Sequence, residues 1–181
     1  SVKTRVGYNK EETETWIPAL LETNIAALTV HARTRKEMSK APARWERIAR
    51  AVEIANGTGT LIIGNGDVLD MADAKEKAKA TGADGAMLGR AIFGNPWLFA
   101  KKKKEITIEE KLRVMIEHTK LFEKELGAHK NFALMKKHYK AYANGFLGAK
   151  ELRMKLMEAK DAKEVENITN IYLTNELKRV V

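Results

Sequence analysis

The sequence predicts an α/β layer structure followed by a small all-α bundle. Through residue 99, short apolar runs alternate with segments of helical period. Those runs are continuous rather than alternately apolar and polar, as in parallel strands covered on both faces. Beyond residue 99 the strand pattern stops and four helical patterns follow.

Taken in order, "VKTRVG" (2–7) reads as a strand stopped by glycine. "EETETWIPALLET" (11–23) has acidic residues in its first turn and Trp16, Ile17, Leu20 and Leu21 at helical spacing, although Pro18 interrupts it. "IAALTVH" (25–31) is a buried strand, and "ARWERIARAVEIA" (43–55) a helix with Trp45, Ile48, Ala49 and Val52 on one face. "GTLIIGNGD" (59–67) is a strand ending in a glycine-rich turn. "DMADAKEKAKATG" (70–82) is a helix with an aspartate cap and a glycine stop, and "DGAMLGR" (84–90) is the fourth strand.

"KKKK" (101–104) opens the second part, and helices are expected at 107–126, 129–143, 148–158 and 161–177. Leu112, Met115, Ile116 and Thr119 recur at i, i+3, i+4 and i+7, the stripe of a packed helix. The domain boundary is accordingly expected at 105, giving segments 1–105 and 106–181. Four parallel strands of a (β/α)8 barrel would leave two open edges, which the sequence reading resolves as the C-terminal piece of a longer protein. An independent small α/β fold is the alternative.

Of the 181 residues, 44% are hydrophobic and 31% charged, a globular composition. No apolar run approaches the roughly 20 residues that span a bilayer, and "SVKTRVGYNK" has no signal-peptide core. An intracellular location is the expectation. The absence of cysteine excludes disulfides, thiolate metal sites and a cysteine nucleophile supplied by these residues. The net charge is +9, and residues 100–181 carry 19 Lys/Arg against 12 Asp/Glu. Such a segment suits a polyanion, nucleic acid first, or is a lysine-rich solvated surface.

In parallel α/β folds ligands sit at the carboxyl ends of the strands. The four strands deliver there Lys3 and Arg5; His31 and Arg33; Asn65, Gly66 and Asp67; and Gly89 with Arg90. Glycines at such turns let backbone N–H groups approach an anion, so "GNGD" and "LGR" together read as a phosphate site. The other reading is two tight turns using glycine for positive φ. Lys3 and His31 could face one mouth, and Arg33 and Arg35 could reach an anionic substrate or form salt bridges.

These motifs carry a resemblance. "SVKTRVGY", "LTVHARTRKEM…ARWERI", "IIGNGDV", "GADGAMLGRAIFGNPWLF" and "MKKHYKAYANGFLGAKELR" resemble the C-terminal half of the tRNA-dihydrouridine synthases, in order, over about 155 residues. The resemblance implies a partial TIM barrel, the last four βα units, followed by a small helical bundle that helps hold tRNA. It implies a cytoplasmic enzyme that uses FMN and NADPH to reduce uridine in tRNA to dihydrouridine. Carried over by motif, Lys3 and His31 would contact the flavin. Asn65, Gly66 and Asp67 would lie at its ribitol and phosphate end, and Gly89 and Arg90 would hold its phosphate. Arg33 and Arg35 become candidate nucleic-acid contacts, as do Lys136, Lys137 and Lys140 of "KKHYKAY". Tyr139 and Tyr142, three apart in the same motif, read more readily as packing than as base stacking.

Two departures are small: Ala32 and Ala91 stand where the family usually has glycine. A larger one is the family's general acid, a cysteine from the first half of the barrel, which this sequence lacks. The expectation is therefore an incomplete enzyme, inactive alone, whose partners are the missing half-barrel or a second copy at the open edges. No metal and no membrane enter the expected function. The alternatives are another FMN- or phosphate-binding barrel oxidoreductase, and a tRNA-binding fragment without catalysis.

Overall fold

The four apolar runs pair in chain order into one parallel sheet, β1 (Val2–Arg5), β2 (Ala27–His31), β3 (Leu61–Asn65) and β4 (Gly85–Met87). They alternate with α1 (Thr13–Leu21), α2 (Glu46–Ala55) and α3 (Met71–Thr81). This computed structural model describes residues 1–100 and 105–179, so the lysine run 101–104 lies outside the described residues. The chain divides into two compact units, Ser1–Ile92 and Phe93–Val181.

The register explains where the first unit is dry and where it is polar. Leu28, Val30 and Ile62 are buried on one face of the sheet, against Ile17, Leu21, Ile48 and Ala51 of the helices. Because strand side chains alternate, the other face carries Lys3, Arg5, Thr29, His31, Ile63 and Asn65. In parallel pairing Arg5 stands beside His31, His31 beside Asn65, and Asn65 beside Met87. One row of the sheet thus gathers polar groups from three strands at their carboxyl ends.

The strands are shorter than the sequence reading gave. Val6 donates its N–H to Arg33 O at 3.2 Å and accepts at its carbonyl from Glu12 N at 2.7 Å, so the chain leaves the ladder after Arg5. At the end of β3, Gly66 (φ 125°) and Asp67 (φ 50°) turn the backbone away. After β4 the chain enters a 3-10 turn, Arg90–Ile92, which places Gly89 and Arg90 beyond the strand. The caps of α3 are as expected: Asp70 accepts from Ala72 N and Asp73 N, and Gly82 (φ 73°) ends the helix left-handed. Pro18 removes one amide donor from α1 without stopping it, since Ile17 and Leu21 anchor the helix in the core.

In the second unit, α4 (Ile108–Leu126), α5 (Ala133–Tyr142), α6 (Ala149–Glu158) and α7 (Ala162–Arg179) form the bundle. Thr107 caps α4 by accepting from Glu110 N at 3.1 Å. Leu112, Met115, Ile116 and Thr119 are all buried, as their spacing requires. Leu112 and Met115 join Met135, Tyr139, Tyr142, Leu152, Leu156 and Val165 in one core. Both tyrosines of "KKHYKAY" are therefore packing residues. The second helix starts later than 129 because the Asn131 side chain accepts from Ala133 N at 2.8 Å and fixes the entry there.

Candidate functional site

The polar row at the sheet mouth is held by hydrogen bonds that fix its chemistry. Lys3 Nζ donates to Asn65 Oδ1 at 3.0 Å, and Asn65 Nδ2 donates to Met87 O at 2.8 Å. A lysine can only donate and a carbonyl can only accept, so the Asn65 amide has one orientation. Asn65 thereby ties β1, β3 and β4 together at the level of His31.

Beside it lies an arginine–aspartate network. Arg33 is buried (3% exposed) and donates from Nε to Ala41 O at 2.5 Å and from Nη2 to Asp67 Oδ2. Its Nη1 stands 3.2 Å from His31 Nε2. Guanidinium has no acceptor, so His31 Nε2 carries the lone pair and the ring proton sits on Nδ1. Partial burial, then the charges of Arg5, Lys3 and Arg33, hold the imidazole neutral by lowering its pKa from 6.5 to about 4. Burial and nearby Arg5 also lower the Lys3 pKa.

Asp67 accepts from Arg33, from Ala43 N at 2.9 Å, and at its other oxygen from Arg90 Nη2 at 2.8 Å. Hydrogen bonding from Arg33 leads the causes that hold its carboxyl below the ordinary value. Its carboxylate thus accepts three hydrogen bonds, and the pair of arginines leaves the network with a net positive charge. The Arg90 side chain remains 65% exposed, free to meet an anion from outside.

The two glycine turns differ. A Cβ on Gly66 would lie 2.7 Å from Ala43 Cβ and 3.1 Å from His31 Cδ2, so packing within the protein demands glycine there. A Cβ on Gly89 would meet no heavy atom within 4 Å. A cleft of about 620 Å3 opens over these residues, lined by His31, Arg33, Asn65, Gly66, Asp67, Gly89 and Arg90 among others. That is a common size for a small-molecule site. Arg5 lines this cleft and, with Lys3, Tyr8, Trp16 and Arg35, a second one of about 610 Å3, so Lys3 reaches the first only through its hydrogen bond to Asn65.

Of the residues expected to act together, the structure gathers Lys3, His31, Asn65, Gly66, Asp67, Gly89 and Arg90 at one mouth. The two arginines of "HARTR" part company. Arg33 lies beneath the cleft, whereas Arg35 is exposed with its guanidinium 5.0 Å over the Tyr8 ring. Lys136, Lys137 and Lys140 belong to α5, in the other unit. Sequence reasoning missed the roles of Arg5, Trp45 and Ala43. Arg5 donates to Thr34 O at 2.9 Å and Trp45 Nε1 to Gly66 O at 2.8 Å, which set the loops after β2 and β3. A signal for Trp45 was present in the glycine-rich run it packs on, but only the fold shows that contact.

Among the described residues no cluster of three or more metal-binding side chains occurs, and no helix is long and apolar enough to cross a membrane. Four parallel strands in chain order, alternating with three helices and carrying a cationic cluster at their carboxyl ends, define an α/β protein of partial-barrel type. Residues 1–178 match the family model described as dihydrouridine synthase. The chain belongs to that family. It is 40% identical over 168 residues to a probable tRNA-dihydrouridine synthase of Staphylococcus aureus (strain MRSA252), covering 91% of this chain and 51% of that one. It is 38% identical over 176 residues to the Staphylococcus epidermidis (strain ATCC 12228 / FDA PCI 1200) protein of the same description, covering 95% and 54%. A probable tRNA-dihydrouridine synthase 2 of Bacillus subtilis (strain 168) is 38% identical over 171 residues, covering 91% and 52%. The chain spans about half the length of these relatives.

Proposed function

We propose that this chain is the flavin-holding and RNA-facing part of a cytoplasmic enzyme that reduces uridine in tRNA to dihydrouridine, with FMN as cofactor and NADPH as reductant. The observation that carries the reading is the hydrogen-bonded pair Lys3–Asn65 with His31 next to Asn65 in the sheet and an exposed Arg90 on Asp67, in a chain of this family. The residues fit an anionic ring-bearing group. Open space at Gly89 and the outward Arg90 suit a phosphate, while Lys3 and neutral His31 offer a donor and an uncharged ring edge farther in. Bound FMN would supply hydride transfer, which no side chain of this sequence can provide.

The chain's own residues do the rest. Arg33 fixes the His31 tautomer, so the imidazole presents a protonated Nδ1 whatever the pH above its titration. Asn65 aims the Lys3 ammonium along the sheet face, where it donates without being tied to a carboxylate. Asp67 orients Arg90 before a ligand arrives, which lowers the ordering cost of binding. Arg35 is the outward arginine suited to RNA, and Lys136, Lys137 and Lys140 add salt-sensitive affinity from the helical segment after residue 106. The general acid is contributed from outside these residues, because the sequence has no cysteine. A further half-barrel or a second copy completes the edges of β1 and β4.

The test is an FMN titration followed by flavin fluorescence, on the chain and on Arg90→Ala. The expected result is binding by the chain, weakened about tenfold or more in the variant, the scale of a charge-assisted contact. Binding of equal strength in both would remove the phosphate role of Arg90. No binding by either would leave the flavin reading without support in this chain.

A further inference from the structure

We propose that the groove between α5 and α6 binds an unpaired nucleotide of RNA, with phosphates on Lys137, Lys140 and Lys150 and the base lying over Met154 and Met157. The inference rests on the RNA reading above and names the form of RNA that this surface takes.

The groove is built rather than incidental. Lys136 Nζ donates to Met157 O at 2.7 Å, reaching from α5 to the last turn of α6. Arg153 Nη1 donates to Ala143 O at 2.7 Å, reaching from α6 back to the end of α5. Each cation satisfies a carbonyl that a helix end leaves open. Together they fasten the two helices along a groove of about 540 Å3.

The remaining cations have no such employment. Lys137, Lys140 and Lys150 are exposed and form no ion pair among the described residues. α5 contains three lysines and no acidic residue, and no carboxylate lines the groove. Lysines and arginines that merely solvate a helix surface are commonly interleaved with Glu at i±4, as Arg113 of α4 pairs with Glu109 here. Unneutralised cations on both walls select a polyanion.

The floor selects its form. Met154 and Met157 are 62% and 50% exposed between those cations. A duplex presents phosphates but keeps its base faces stacked, leaving two thioethers in water. An unpaired nucleotide presents phosphate and a flat apolar face together, and sulfur packs well on aromatic rings.

Fluorescence anisotropy on the full chain decides this, with a labelled 12-residue oligouridylate and a 12-base-pair RNA duplex as probes. All substitutions are at exposed positions, and an unchanged far-ultraviolet helical signal confirms the fold of each variant. In Met154→Ser/Met157→Ser, oligouridylate binding is expected to weaken about three- to tenfold, with its salt dependence and duplex binding unchanged. In Lys140→Ala/Lys150→Ala, the slope of log K against log salt for oligouridylate is expected to flatten by about 1.4. Unchanged oligouridylate binding in the methionine variant overturns the proposal. So does tighter binding of an acidic peptide of equal charge, or equal binding of both RNA forms. If neither RNA form binds the unaltered chain, the RNA reading of the preceding subsection falls with the groove. If RNA binds and the groove variants leave it unchanged, the groove falls alone.

Discussion

His31 is where one residue's chemistry is set by a neighbour that cannot accept a hydrogen bond. Arg33 places a donor 3.2 Å from Nε2, and the surrounding cations and burial oppose a second proton. By nuclear magnetic resonance, His31 is expected to titrate near pH 4 and to show the Nδ1–H tautomer above it. Arg33→Met removes one cation and the donor, so the pKa is expected to move upward toward its ordinary 6.5. A His31 that already titrates near 6.5 in the unaltered chain would contradict the network. The histidine was legible in the sequence as a strand-end residue. Its protonation state was not, because it depends on an arginine two residues on that the fold turns inward and Asp67 holds there.

At the scale of elements, the contact between α2 and β3 shows why one glycine-rich run carries more than one meaning. A Cβ on Gly64 would stand 2.3 Å from the Trp45 ring and 3.1 Å from Ile48 Cγ2. Overpacking of this kind costs about 1–3 kcal/mol, so Gly64→Ala is expected to lower the urea midpoint of unfolding clearly. Unchanged stability would mean that Trp45 moves aside freely. Asp70→Ala is the contrasting case, expected to cost about 1 kcal/mol through the loss of the α3 cap. Asp70 and Gly82 were legible because capping is a local rule read from adjacent residues. "GNG" pointed to a phosphate turn, whereas Gly64 serves Trp45 and Gly66 serves Ala43 and His31. A sequence records that a side chain is excluded, not whether helix, sheet or ligand excludes it. The parallel strands and their polar carboxyl ends were legible because each can be read from its own short segment, whereas the polar face behind them emerged only from the register, since the runs read as continuously apolar.

For the whole chain, the response to acid follows from groups in both units. In the helical unit His118 and His138 face each other with ring centroids 5.2 Å apart, and His118 Nδ1 lies 3.1 Å from the Tyr142 hydroxyl. Burial lowers both pKa values, with His118 and Lys137 adding to the effect on His138. His31 in the sheet unit is lowered to about 4. Below the ordinary value of 6.5 the unfolded chain therefore binds more protons at these sites than the folded one. Stability from the neutral histidines is fully present above that pH and is lost as pH falls toward the folded values. Carboxylates act lower down. Asp67 and Asp73 are held below their ordinary 3.8, chiefly by hydrogen bonds from Arg33 and Lys77, so their contribution is present above that value and disappears below it. Urea midpoints measured between pH 7.5 and 3 are thus expected to fall in two stages. The first begins near 6.5 and shrinks in His118→Gln, which keeps a polar partner for Tyr142 without the titrating ring. The second begins near 4 and shrinks in Asp67→Asn. A flat midpoint between pH 7 and 5 would mean that the histidines titrate alike in both states, and that the rings pack without resisting charge.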